Sequence, residues 1–480
     1  MARAAQHNTT AIVVGSGPNG LAAAITLAHH GWQVEVREGA PVAGGGARSA
    51  ELTIPGFVHD VCSAVYPFAR LSPFFRAYPL EAHGLSLIYP PAALAHPFDD
   101  GTAALLLNSV SETAALLGAD GHRYRSLLQP LVEQWRPLFD ETLSLPRIPR
   151  HPLLLARFGV RALPSAATLA NAVFSRPHTR ALLLGMAAHS MIPLTWAGSA
   201  AIALMLAAAA HADGWPIPRG GAGSVSSAMS ACLAASGGRI RTASPVESLD
   251  DLPPSGAVLL DLTPRQVVRI AGTRLTPSFA RALTRYRYGP GAFKVDWALD
   301  GPVPWRASDC ARAATVHVGG SAEEIIASEA APWRGQHAER PFVLLCQPSV
   351  FDGTRAPSGK HTLWGYCHVP NGSTVDMTAR IEAQIERFAP GFRERIIARR
   401  AAGPHELEAM NPNLVGGDIG GGANSLAQLL FRPTIRWNPH RTSAAGVYLC
   451  SSATPPGGGV HGMCGWNAAR TALRDAARSR

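Results

Sequence analysis

The chain has few charges, few cysteines and no long uninterrupted apolar run. Charged residues make up 16% of its 480 positions against 47% hydrophobic, a balance that excludes a disordered or polyelectrolyte chain. Its seven cysteines (Cys62, Cys232, Cys310, Cys346, Cys367, Cys450 and Cys464) form neither a C-x-x-C pair nor a zinc-ligand spacing. No dithiol centre and no metal site are therefore expected, and scattered thiols suit the reducing cytoplasm. The net charge of +10 is carried mainly by arginine spread along the chain, which argues against a nucleic-acid-binding arm. Met1–Thr10 lacks the apolar segment of a secretory signal. The longest apolar stretch, "WAGSAAIALMLAAAAHA" at 196–212, is interrupted by Gly198 and Ser199 and too short to span a bilayer. It reads as a buried helix, with shallow peripheral contact with a membrane as the minority alternative. No internal repeat is present, and the length predicts two domains.

Glycine, by contrast, is abundant and placed. In "AIVVGSGPNGLAAAITLAHHGWQVEVRE" (11–38), Ala11–Val14 reads as a strand buried on both faces, Pro18 as the start of a helix and Gly31 as its stop. Gln33–Glu38 alternates as a second strand. The G-x-G-x-x-G at the turn has a mechanism in this setting. Gly15 turns the chain tightly, Gly17 admits a pyrophosphate to the helix N-terminus, and Gly20 lets helix and strand pack closely. Glu38, 23 residues past Gly15, is placed for ribose hydroxyls. The segment predicts a dinucleotide site. The bland alternative is a structural turn with a solvated Glu38.

Further along, the glycine cluster "GAPVAGGGARS" (39–49) ends in Arg48 and could wrap phosphate or be a flexible loop. Residues 50–110 read as irregular excursions and 111–212 as mainly helical. Residues 214–249 read as loop, helix and strand, with Val246 in the strand "SPVESL". "AVLLDL" (257–262), "PFVLLCQPS" and "HTLWGYCHV" read as strands, and 376–400 as an amphipathic helix. "GAFKVDWAL" (291–299) alternates strictly: Phe293, Val295, Trp297 and Leu299 share one face, and Lys294 and Asp296 the other. From that pattern alone, Lys294 belongs to a solvated face or a local ion pair. Near the end, Val447–Cys450 reads as a strand, Pro455–Gly459 as a loop, and a helix follows from about Val460. Cys450 and Cys464 read as buried apolar residues, and His189 and His211 as ordinary helix-end histidines. Asp418 in "VGGDIGGG" reads as part of a turn or of a loop near substrate.

Four of these segments together resemble the phytoene desaturase-like flavoproteins of the amine oxidase/glutathione reductase-type FAD superfamily. They are the N-terminal fingerprint, the Gly44–Arg48 loop, "GWPIPRGGAGS" and "PGGGVHGMCGWNAAR", supported by "IPGFVHD" (54–60) and "QLLFRP" (428–433). The resemblance implies an α/β fold: a discontinuous Rossmann-like FAD-binding domain (1–75, 214–285, 440–480) with a second, α+β substrate domain (76–213, 286–439). It implies that Gly15, Gly17 and Gly20, with Pro18 and Asn19 between them, meet the FAD pyrophosphate, and that Glu38 meets the ribose. Gly45 and Arg48 would lie along the diphosphate, Val246 against adenine, Ser451 near the ribityl chain, and Gly458, Gly459, Val460 and His461 at the flavin pyrimidine. "CSSATPP" departs from the family, where a Gly–Ala or Gly–Asp pair and a histidine are usual.

The function implied is hydride transfer between flavin and a carbon centre of a largely apolar, carotenoid- or isoprenoid-like substrate. The alternatives are an amine or amino-acid-type oxidase, with Tyr66 or Trp466 supplying aromatic cage residues, and a flavin-containing binding or assembly protein with little turnover. His461 is a catalytic candidate beside the pyrimidine, or a space-filling ring bonded to a backbone carbonyl. Lys294 is a second candidate, because amine oxidases carry a lysine on the matching strand that holds a water near flavin N5. One FAD per chain is expected, and no second dinucleotide site; the oligomeric state has no signature.

Overall fold

A computed structural model of the chain describes residues 9–145 and 147–478. The segment before residue 9, with most of the stretch read for a signal, lies outside the described residues. Strands of three or more residues are, in chain order, β1 (Thr10–Val14), β2 (Gln33–Arg37), β3 (Ala92–Pro97), β4 (Ala103–Leu107), β5 (Arg239–Arg241) and β6 (Ala257–Leu260). They continue as β7 (Gly291–Leu299), β8 (Ala313–Val318), β9 (Val343–Cys346), β10 (His361–Val369), β11 (Ile396–Ala402) and β12 (Val447–Leu449).

The apolar run in β1 is explained by its place. It is the centre of a parallel five-stranded sheet, ordered β12-β6-β1-β2-β5, with side chains covered on both faces. Helix α1 (Pro18–His29) starts on Pro18 as predicted and buries nearly its whole length. Against it lies the C-terminal helix, which starts at Met463 and ends at Arg478, so close that a Cβ on Gly465 would lie 1.8 Å from Asn19 O. The carboxyl ends of β1, β2, β6 and β12 therefore open together beside the N-terminus of α1, the place where open α/β sheets bind ligands.

The second sheet has seven strands, ordered β11-β7-β10-β9-β8-β3-β4, antiparallel except for the β3–β8 pair. Helices from 110 to 213 cover one side, and "WAGSAAIALMLAAAAHA" contributes Ser199–Asp213, buried over most of its length. Among the described residues no single helix is long and apolar enough to cross a membrane.

Several expectations are corrected. The alternation in β7 holds and Lys294 and Asp296 form the local ion pair, but the pair is buried rather than on a solvated face, because β7 is interior and its polar face is covered by the segment carrying His59. Residues 376–400 divide into a helix, Thr378–Phe388, and the edge strand β11, because Pro390 and Gly391 end the helix. Val246 lies outside any strand; the edge strand is Arg239–Arg241, too short and charged to show an apolar signal. The span 50–110 contains β3 and β4, both integral to the second sheet.

Candidate active site

One cavity of about 960 Å³ runs from the mouth of the first sheet to the face of the second. Its first end is lined by Gly15, Gly17, Pro18, Asn19, Glu38, Gly45, Arg48, Val246, Ser451, Gly458, Gly459 and Val460, which the fold brings together from distant parts of the chain. Gly15 has φ +98, a conformation that side chains resist, and a Cβ on Gly20 would lie 2.2 Å from Gly15 O. The glycine turn is thus required by geometry.

Glu38 is not a solvated strand end. One carboxylate oxygen accepts from Ser16 N (2.9 Å) and Ser16 Oγ (2.5 Å), and the other from Ala40 N (2.8 Å). Arg48 donates through Nε to Gly45 O at 2.7 Å, so the cation is fixed against the second glycine cluster. Ser451 Oγ donates to Leu262 O at 2.7 Å, tying the C-terminal loop to the end of β6.

Sequence reasoning missed Asp261, whose only signal is an acid closing an apolar strand. Its carboxylate accepts from Gly20 N at 2.9 Å, and a Cβ on Gly17 would lie 2.7 Å from Oδ2. Burial pushes this carboxyl up to about 7, Glu38 adds to the shift, and the Gly20 N–H opposes it. The cradle fits a dinucleotide diphosphate: the N-terminus of α1, whose N-cap residue Gly17 supplies no capping side chain, is at the cavity wall, where Gly15 and Gly17 leave the backbone open to an anion.

His461 does not line the cavity. Its ring is buried behind the wall of Gly458, Gly459 and Val460, Nδ1 accepts from Met463 N at 3.1 Å, and burial lowers it to about 4. It anchors the start of the C-terminal helix, the space-filling alternative. Lys294 sits just behind the wall, ion-paired to Asp296, its Nζ 5.0 Å from the Trp364 ring centroid. Asp296 also faces His59 Nδ1 at 3.6 Å; burial, Lys294 and Arg355 lower that ring to about 3. A buried ion pair between Arg355 and Asp60 (2.8 Å) completes the polar layer.

The far end of the cavity is apolar, lined by Phe68, Met191, Ile202, Met205, Leu206 and Trp215. Trp364 and Tyr366, stacked at 6.1 Å and 15°, form its floor; the alternation of "HTLWGYCHV" was their sequence signal. Tyr66 lines the wall with its hydroxyl on Ser63 Oγ (2.7 Å), whereas Trp466 lies outside it under Arg470. Asp418 accepts from Gly289 N and Gly420 N and so holds a loop whose Gly420 and Gly421 reach the wall. His211 bonds Tyr124 at the helix end, but His189 lines the cavity. The charged lining residues, Arg37, Glu38, Arg48, Asp261 and Arg269, all belong to the first-sheet end. Among the described residues no group of three or more His, Cys, Asp or Glu is placed to hold a metal.

A family model described as an NAD(P)-binding Rossmann-like domain matches residues 13–101. The chain is 28% identical to "Pyridine nucleotide-disulfide oxidoreductase domain-containing protein 2" of Rattus norvegicus, over 97% of this chain and 93% of that protein. A shorter match, 28% identical over a quarter of each chain, is to "4,4'-diapolycopen-4-al dehydrogenase" of Metabacillus indicus. Among solved structures, an oxidoreductase from Methanosarcina mazei superimposes with a TM-score of 0.65 at 14% identity, covering 97% of this chain and all of that one. Putrescine oxidase superimposes with a TM-score of 0.60 at 18% identity, covering 98% of each chain. The chain thus has an α/β fold with a Rossmann-like NAD(P)-binding domain at its N-terminus, shared along nearly its whole length with known oxidoreductases.

Proposed function

We propose that the protein is an FAD-dependent oxidoreductase that moves hydride between flavin and a carbon centre of a neutral, largely apolar substrate. The observation that carries this reading is one continuous cavity, with a dinucleotide cradle at one end and an aromatic, charge-free arm at the other. When bound, FAD supplies the hydride-accepting or hydride-donating ring. Gly15, Gly17 and Asn19 would hold its diphosphate, Glu38 the ribose, Arg48 and Ser451 the chain beyond, and Gly458–Val460 the pyrimidine edge. Trp364, Tyr366, Phe68 and Trp215 orient the substrate and exclude water. Lys294 places a buried cation behind Trp364, where it favours negative charge developing in the cavity. The same reading assigns residues 1–75, 214–285 and 440–480 to the cofactor domain and the remainder to the substrate domain. The carotenoid or isoprenoid class is the finer part of the proposal, supported by the apolar and aromatic lining of the arm.

One observation favours an amine oxidase instead: a stacked Trp–Tyr pair with a buried lysine beside it. Against it, no carboxylate among the described residues lines the substrate arm to bind an ammonium substrate. Anaerobic stopped-flow spectra of the FAD-loaded protein against polyenes, amines and alcohols decide between them. Bleaching of flavin by a polyene or isoprenoid is expected. Bleaching by amines alone selects the alternative, and no bleaching by any compound favours a binding protein. With one cradle, rapid saturable bleaching by NADPH would contradict the reading.

A further inference from the structure

We propose that His189 is a hydrogen-bond donor to the substrate, which is therefore an apolar molecule bearing an acceptor oxygen such as a carbonyl. The inference rests on the reading that this arm takes substrate.

His189 follows the helix Pro177–Ala188 and lines the cavity among Met191, Met205, Leu206 and Trp215. Its Nε2 lies 3.0 Å from Nε2 of His317 on β8, a fully buried ring. Burial lowers His189 to about 3, with the nearby His368 adding to the effect, and takes His317 well below its ordinary value. His368 is itself paired with Glu329 at 2.6 Å, and His96 faces His317 from β3, bonded to Gly320 O at 2.8 Å. Both rings of the pair are neutral at neutral pH, so one Nε2 donates and the other accepts.

The far side of His317 decides which. Its Nδ1 is buried with no hydrogen-bond partner among the described residues and is pressed against Gly185, where a Cβ would lie 2.8 Å away. An N–H aimed at that carbon would be a buried, unmade donor, whereas a bare lone pair can face a Cα–H. His317 therefore carries its proton on Nε2 and donates it to His189. The proton of His189 is then on Nδ1, the ring nitrogen left for the cavity. Trp215, edge-on to His189 at 6.0 Å, fixes the ring and directs its own N–H to Leu206 O. His317 is a positioning residue: it sets the tautomer of the ring that meets substrate.

The test compares farnesal, which has a carbonyl, with the hydrocarbon farnesene on the FAD-loaded protein. Affinity is read from quenching of Trp215 and Trp364 fluorescence, and the carbonyl stretch of bound farnesal from Raman spectra. Farnesal is expected to bind at least about fivefold tighter, with its stretch shifted to lower frequency. His189→Phe should lose both effects and keep farnesene affinity within about twofold; His189→Gln should retain part of the shift. Equal affinities in the parent, binding of neither probe, or a shift that survives in a folded His189→Phe would overturn the proposal. Raman and affinity effects without flavin bleaching by any compound would leave His189 a donor and remove the oxidoreductase reading alone.

Discussion

Glu38 and Lys294 show how burial changes what a substitution measures. Glu38 holds Ser16 and Ala40 as well as facing the cavity, so its removal acts on both cofactor and loop. Glu38→Ala is expected to weaken FAD by about 1.5–3 kcal/mol for each charged hydrogen bond lost. Flavin titration of the folded apoprotein measures this, and unchanged affinity would remove Glu38 from the ribose site. Lys294→Met would leave Asp296 buried beside His59 without its cation, a loss of about 3–5 kcal/mol of stability. The double variant with Asp296→Asn should recover most of that stability. In it, flavin reduction or reoxidation should still slow at least about tenfold, roughly 1.4 kcal/mol of barrier. Half-reactions within twofold of the parent would leave Lys294 a purely structural ion pair.

Two helices decide whether the cradle exists. The N-terminus of α1 is aimed at the cavity because the C-terminal helix presses on it through Gly465, with no room for a methyl group near Asn19 O. Gly465→Ala should therefore cost about 1–3 kcal/mol of stability by overpacking. It should also weaken FAD, because Asn19 moves with the displaced helix. Denaturant melts and flavin titration together check this, and a variant with parent stability and affinity would show that the contact is slack. The helix α1 was legible from Pro18 and the glycines; its partner's approach was not, since a glycine inside a helix reads only as a weak spot.

Across the molecule, buried neutral histidines set the response to acid. Burial lowers His59 and His189 to about 3 and His96, His211, His440 and His461 to about 4. Each folded value lies below the unfolded one, about 6.5, so the unfolded chain binds the extra protons. The stability these rings contribute is complete above about pH 6.5 and lost as pH falls toward 4. At pH 5 each ring loses about 2 kcal/mol, and a few together match a typical net stability of about 5–15 kcal/mol. Asp213, Asp261, Asp296 and Asp418 have the opposite sign: burial raises each folded value, so acid relieves the buried charge. The six histidines outnumber these four carboxyls, and the melting temperature should fall between pH 7 and pH 5. A flat profile would mean that the rings protonate in the folded state.

What the sequence determined by itself is local: the βαβ turn, its glycines and Glu38, the apolar strands β1 and β6, the alternating strand β7, and the helical span before residue 213. Each depends on short-range rules, where strand or helix period and glycine geometry act within a few residues. Only the tertiary structure decided which polar groups are buried and what they face. It covered Lys294 and Asp296, turned His461 away from the cavity, brought Asp261 under the glycine loop, and joined His189 to His317 across 128 positions. Those outcomes depend on which surfaces meet, and a polar residue facing solvent or facing a cavity has the same local pattern until the covering element is in place.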